Sequence, residues 1–208
     1  MNKEQIIAKK VLFLFNPLFL AVYAFVYYLL LLVLFSGYQD SLTLVLKSFT
    51  LYVLVSCLVP ILILYLLNGS SFENFKENSY ESNVSYIVVS TTYFISYIYF
   101  SILNVSIWFE MGLLIPVYTS IAQMVLRKRV KVSLDIILMG AVLFYVFLLT
   151  IEFYYVLSIF PLLIAIAFAG ILAYSYLIQD LMTNRDIIKN YIIGAILSVL
   201  IILFVLIL

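Results

Sequence analysis

The sequence predicts an all-α fold: a polytopic transmembrane bundle of about seven helices, N-terminus inside and C-terminus outside. Three observations carry this expectation. The chain is 67% hydrophobic and 10% charged over 208 residues, whereas soluble domains are nearer half apolar and a quarter charged. Its apolar residues lie in unbroken runs long enough to cross a bilayer, without the alternation of barrel strands. Ten of its eleven basic residues fall on one side once those runs are numbered.

The first run, 11–35, follows Met-Asn-Lys-Glu-Gln-Ile-Ile-Ala-Lys-Lys. It is too long for a signal-peptide core and lacks a small-residue cleavage site, so it reads as a retained helix. The others are 45–67, 84–103, 107–126, 132–151, 155–178 and 191–208. In lipid the backbone must satisfy its own hydrogen bonds, so runs of this length mean helices. The polar islands between them are short. The longest, 68–83, is acidic; 127–131 reads Arg-Lys-Arg-Val-Lys; 179–190 carries Asp180, Arg185, Asp186 and Lys189. None has room for a folded extramembrane domain, so 1–208 reads as a single integral membrane domain.

Charge sets the expected orientation. With the N-terminus inside, Lys3, Lys9, Lys10, Lys76, Arg127, Lys128, Arg129, Lys131, Arg185 and Lys189 all fall inside, and only Lys47 outside. Fusing 84–126 into one span would scatter them over both faces, against the positive-inside bias of short loops. The expected location is the inner (cytoplasmic) cell membrane, multi-pass. A net charge of +1 makes no case for nucleic acid. The single cysteine, Cys57, excludes an intrachain disulfide, and the absence of histidine removes the commonest metal ligand; no cofactor or metal is expected. Pro17, Pro60, Pro116 and Pro161 fall within the runs and predict kinks. Most of the 18 tyrosines and 17 phenylalanines read as packing and interfacial anchors. Glu110 and Glu152 read as acids at the outer lip.

The polar islands at 68–83, 127–135 and 179–190 open onto one expected face. Lys131-Val-Ser133-Leu-Asp135 precedes one run, and Ser175-Tyr176 with Met182 and Asp186 precedes the last, followed by Gly194. Asn16-Pro17-Leu18 opens the first run. This pattern resembles the phosphatidic-acid-phosphatase type 2 superfamily, in particular its small divergent membrane members from the Bacteroidetes. The family's third motif is S-R-x5-H-x3-D. Ser175 and Asp186 match it, while Tyr176 stands for the arginine and Met182 for the histidine. Its second motif, K-x-S-x-H in those members, is met by Lys131 and Ser133, with Asp135 at the histidine. The first motif falls around Ser79 to Tyr86, without arginine. Asn16-Pro17-Leu18 is similar to a His-Pro-Leu of those relatives.

The resemblance implies a phosphohistidine chemistry in the family: one histidine attacks phosphorus, a second activates it, and cations hold the phosphate. This chain has neither histidine. Family sites also open away from the cytoplasm, whereas the basic residues put these loops inside. What the resemblance implies here is therefore a pseudoenzyme: a lipid-phosphatase-like core without the reaction, serving as a subunit or scaffold beside a membrane protein partner, or as a lipid-binding module. A small transporter or lipid-translocating protein is the alternative, and an active lipid phosphatase a second one. The spacings also have structural readings. Thr183-Asn184-Arg185-Asp186 has the form of a capping box, and Ser133 with Asp135 that of an N-cap and first-turn acid. Arg127, Lys128, Arg129 and Lys131 form a topology signal that also suits anionic lipid headgroups.

Overall fold

The computed structural model describes residues 3–15, 58–67, 83–102, 107–153 and 159–207. Among these residues the chain is helical with short turns and no strand. Seven helices are described: α1 (Lys3–Leu14), α2 (Val59–Leu67), α3 (Asn83–Ile102), α4 (Ile107–Leu126), α5 (Leu134–Phe153), α6 (Ile159–Ile178) and α7 (Asn184–Ile207). Among the described residues, three stretches are long and apolar enough to cross a membrane: Leu134–Ile151, Ile159–Ile178 and Asn184–Val205. The apolar parts of α3 and α4, Tyr86–Ile102 and Glu110–Leu126, are shorter.

Hydropathy places α3 to α6 to within a few residues, but two ends differ. The last helix begins at Asn184 instead of 191, because a cap, not apolarity, sets its start. Thr183 supplies that cap, so Arg185, Asp186 and Lys189 lie in the helix. At the N-terminus, the polar residues ahead of the expected 11–35 span are already helical, from Lys3 to Leu14. The remainder of that run, with Asn16-Pro17-Leu18, lies outside the described residues, as do Asp40, Lys47, Cys57 and the 68–82 island.

The chain divides into two compact units, Pro17–Ser120 and Met1–Asn16 with Ile121–Leu208. In the first, α2 packs on α3. One stripe of α3 is buried: Tyr86, Val89, Thr92, Tyr93, Ser96 and Phe100. The hydroxyls of Thr92 and Ser96 are satisfied on their own helix, Thr92 Oγ1 donating to Val88 O at 2.9 Å and Ser96 Oγ to Thr92 O at 3.0 Å. That lets polar residues occupy an apolar face without unpaired donors. Pro116 is interior to α4, the position at which a proline forfeits a helical hydrogen bond. Pro161 falls in the first turn of α6, where no such bond is lost.

In the second unit α5 is the central helix, packed by both α6 and α7. Ile136, Ile137 and Ala141 are completely buried. Helices α5 and α7 run parallel in fixed register. Ser133 meets Asn190 and Ala141 meets Ser198, both at a sequence separation of 57. Midway, two glycines bring the backbones into contact. A Cβ on Gly194 would overlap the Ile137 carbonyl oxygen and stand 2.6 Å from the Ala141 nitrogen. A Cβ on Gly140 would stand 2.7 Å from Tyr191 Cα. Lipid gives apolar helices no hydrophobic reason to associate, so close backbone packing and interhelical hydrogen bonds hold such pairs. Ser198 Oγ supplies one, donating to Ala141 O at 2.7 Å. Tyr191 OH ties α7 to α6 through Ala169 O at 2.7 Å.

Helix α1 runs antiparallel along α6. Gln179 Nε2 donates to Gln5 O at 2.6 Å at one end, and Phe15 meets Phe168 edge-on at 5.4 Å at the other. Phe168 lies ten residues before the end of α6, about 15 Å along it, so α1 follows the axis of a membrane-length helix. Leu12 and Phe15 pack on the core formed by Ile136, Met139, Ala169, Leu172, Tyr176 and Ile187. The outer faces of α6 and α7 expose Phe160, Ile164, Ile171, Ile192, Leu200 and Phe204, a surface compatible with lipid tails.

Candidate functional site

The start of α5, the end of α6 and the start of α7 meet at one end of the second unit, together with the N-terminus of α1. After α4 the chain turns tightly, with Arg129 N and Val130 N both donating to Leu126 O, at 2.9 and 3.0 Å. Gln123 Nε2 then holds Val132 O at 3.0 Å. Helix α6 closes in a left-handed cap: Leu181 N returns to Tyr176 O, Asp180 N to Leu177 O, and Asp180 has φ 51°. An aspartate tolerates that conformation better than most side chains. Thr183 then opens α7 as the capping box expects. Asp186 N donates to Thr183 Oγ1 at 3.3 Å, and the threonine hydroxyl donates to Asp186 Oδ2 at 2.7 Å.

The motif positions converge here. Tyr176 OH donates to Asp135 Oδ2 at 3.0 Å. Ser133 Oγ lies 2.5 Å from the same phenolic oxygen. With the tyrosine proton committed to Asp135, the serine hydroxyl is the donor in that second bond. Ser133 does occupy the N-cap position, since its carbonyl accepts the first α5 bond from Ile137 N at 3.1 Å. Its hydroxyl, however, goes across to α6 instead of capping its own helix, because Tyr176 stands within reach. Asp135 and Tyr176, singled out in the sequence by their spacing, are thus bonded to each other.

The remaining motif positions have separate places. Ser175 turns back to Ile171 O at 2.8 Å and Met182 is packed in the core. Asp186 sits in the first turn of α7, with Lys131 and Lys189 both acting on its carboxylate. Lys128, Arg129 and Lys131 are exposed and Arg127 half-buried. Glu110 lies in the first turn of α4, while the side chain of Glu152 lies outside the described set. Among the described residues no three His, Cys, Asp or Glu gather as a metal site requires.

Sequence reasoning missed Asn190. It is completely buried and ties the 131–133 turn to the first turn of α7. Its Oδ1 accepts from Ser133 N at 3.0 Å, and its Nδ2 donates to Lys131 O at 3.2 Å and Asp186 O at 2.7 Å. The available signal was a spacing of four: Asn190, Gly194 and Ser198 make one small or polar stripe on an otherwise apolar helix.

Chemically, this arrangement is self-satisfied. Serine, tyrosine and aspartate use hydrogen-bonding groups on one another, and none of the three is a cation of the kind that holds a phosphoryl group. No protein-family model, curated protein or solved structure matches the chain, so the polar end is interpreted from its own chemistry.

Proposed function

We propose that this chain is a non-catalytic multi-pass protein of the inner cell membrane, with a helical frame of lipid-phosphatase type. Its work is to hold a lipid, or to dock another membrane protein as a subunit or scaffold. The observation that carries the reading is the Tyr176–Asp135 hydrogen bond. The two motif positions come together, as a phosphatase-type frame requires, yet they are spent on each other. Ser133 donates into this pair, and its hydroxyl meets the carboxyl of Asp135 only through the phenol.

The orientation belongs to the same proposal. The Gln5–Gln179 contact and the Ser133–Asn190 contact put the N-terminus, the 127–133 turn and the 179–183 turn at one end of the unit. Nine of the ten basic residues assigned to the inside belong to those segments and their flanking turns, which supports a cytoplasmic face there. Lys9 and Lys10 lie about one turn beyond Gln5 along α1, within reach of the headgroups for a side chain that buries its stem and keeps its ammonium wet.

Purification of the full chain in a mild detergent tests the holding role. The expected product carries a stoichiometric membrane protein or a single enriched lipid class, identified by mass spectrometry. A protein that recovers neither, while remaining monodisperse, contradicts the proposal.

A further inference from the structure

We propose that Lys131 and Lys189 form a clamp for the phosphate of an anionic lipid headgroup, with the backbone beneath it anchored by Asn190. The inference deepens the lipid-holding reading above and rests on it. Positive-inside topology requires basic residues in the same loops but no particular arrangement. Here the Asn190 amide bonds Lys131 O at 3.2 Å, so two lysines 58 positions apart (189 − 131) leave the backbone close together. Both are exposed. Asp186 is engaged by the Thr183 hydroxyl at 2.7 Å, and its single charge leaves the lysine pair with a net positive charge, with Arg185 adjacent in sequence.

The backbone beneath the pair is fixed. The Asn190 amide bonds Lys131 O and Asp186 O with one nitrogen and Ser133 N with its oxygen, so one buried side chain pins the points from which Lys131 and Asp186 project. Gln123 holds the adjoining Val132 carbonyl. With the backbone anchored, only the lysine side chains have to be ordered on binding. Its depth also suits a headgroup. Lys131 precedes the membrane-length stretch that begins at Leu134, and Lys189 lies in the second turn of α7, where a lysine stem can lie on apolar surface with its ammonium among phosphates. Neither Lys189 nor Asn190 is a motif position, and the clamp binds without any bond being made or broken.

The test uses the full chain reconstituted in phosphatidylcholine vesicles containing a minor fraction of phosphatidylglycerol, with retained lipid measured by native mass spectrometry after extraction. Wild type is expected to retain phosphatidylglycerol preferentially. In Lys131→Gln/Lys189→Gln that preference falls on the order of ten-fold; in Lys131→Arg/Lys189→Arg it is kept. Lys9→Gln/Lys10→Gln removes the same charge from the same end and keeps it too. Equal loss in both glutamine pairs would reveal diffuse electrostatics and overturn the clamp. Inorganic phosphate added to the vesicles should leave the lipid in place; displacement would make free phosphate the ligand and overturn the headgroup assignment. Undiminished retention by Lys131→Gln/Lys189→Gln overturns the clamp but leaves the lipid-holding reading standing.

Discussion

Replacing Gly194 by alanine lowers the thermal stability of the chain in detergent, and replacing it by leucine abolishes a folded product. A single Cβ at this position overlaps the Ile137 carbonyl oxygen and crowds the Ala141 nitrogen. The obstructing atoms are backbone of α5, which cannot rotate aside as a side chain would. Overpacking a well-packed core costs roughly 1–3 kcal/mol even where side chains can yield; a backbone obstacle puts alanine at the upper end and leucine beyond it. The damage spreads because the fixed register of α5 and α7 also sets the Ser133–Asn190 and Ala141–Ser198 bonds. Gly170 is the control. A Cβ there meets nothing within 4 Å, so Gly170→Ala is neutral or gains up to about 1 kcal/mol of helix propensity. Thermal unfolding followed by size-exclusion chromatography reads both variants; equal midpoints for the two alanines would mean that the helices do not approach at Gly194.

Asn190→Leu is the second large effect. Leucine keeps the branched outline of asparagine, so no cavity opens, but the Ser133 N–H and the Lys131 carbonyl lose their partner. Each polar group left unsatisfied in a buried setting costs about 1–3 kcal/mol, giving a destabilisation of roughly 2–6 kcal/mol if neither finds water. Asn190→Asp tests the same point through chemistry alone. A carboxylate still accepts from Ser133 but cannot donate to Lys131 O or Asp186 O. Both variants also free the 127–133 turn from α7. Limited trypsin digestion should therefore cut faster after Arg127, Lys128, Arg129 and Lys131 than in wild type. Unchanged cleavage with unchanged stability would show that the amide does not tie these segments together.

The helical class, the short turns and the capping box at Thr183 were legible because each depends on local chemistry. A run of apolar residues names its solvent, and a threonine three residues before an aspartate names a helix start. Lys131, Ser133, Asp135 and Tyr176 could be selected from their motif spacing alone. Their partners could not. That Ser133 gives its hydroxyl to Tyr176, 43 residues away, follows from how α5 and α6 pack, which no local pattern encodes. Hydropathy alone left out the polar starts of α1 and α7, because it reports the cost of transfer into lipid and not the tendency to form a helix; at α7 the capping box supplied the missing start. Asn190 was passed over because an asparagine in an apolar run is informative only in combination with Gly194 and Ser198 below it.

The most direct test of a phosphatase-type frame without its reaction is phosphate release by the purified chain in mixed micelles, with phosphatidic acid and with an isoprenyl pyrophosphate as substrates. The expected rate equals that of micelles without protein, and Asp135→Ala and Tyr176→Phe leave it unchanged. Release well above background that disappears in Asp135→Ala would contradict the central claim and make Asp135 part of an active centre.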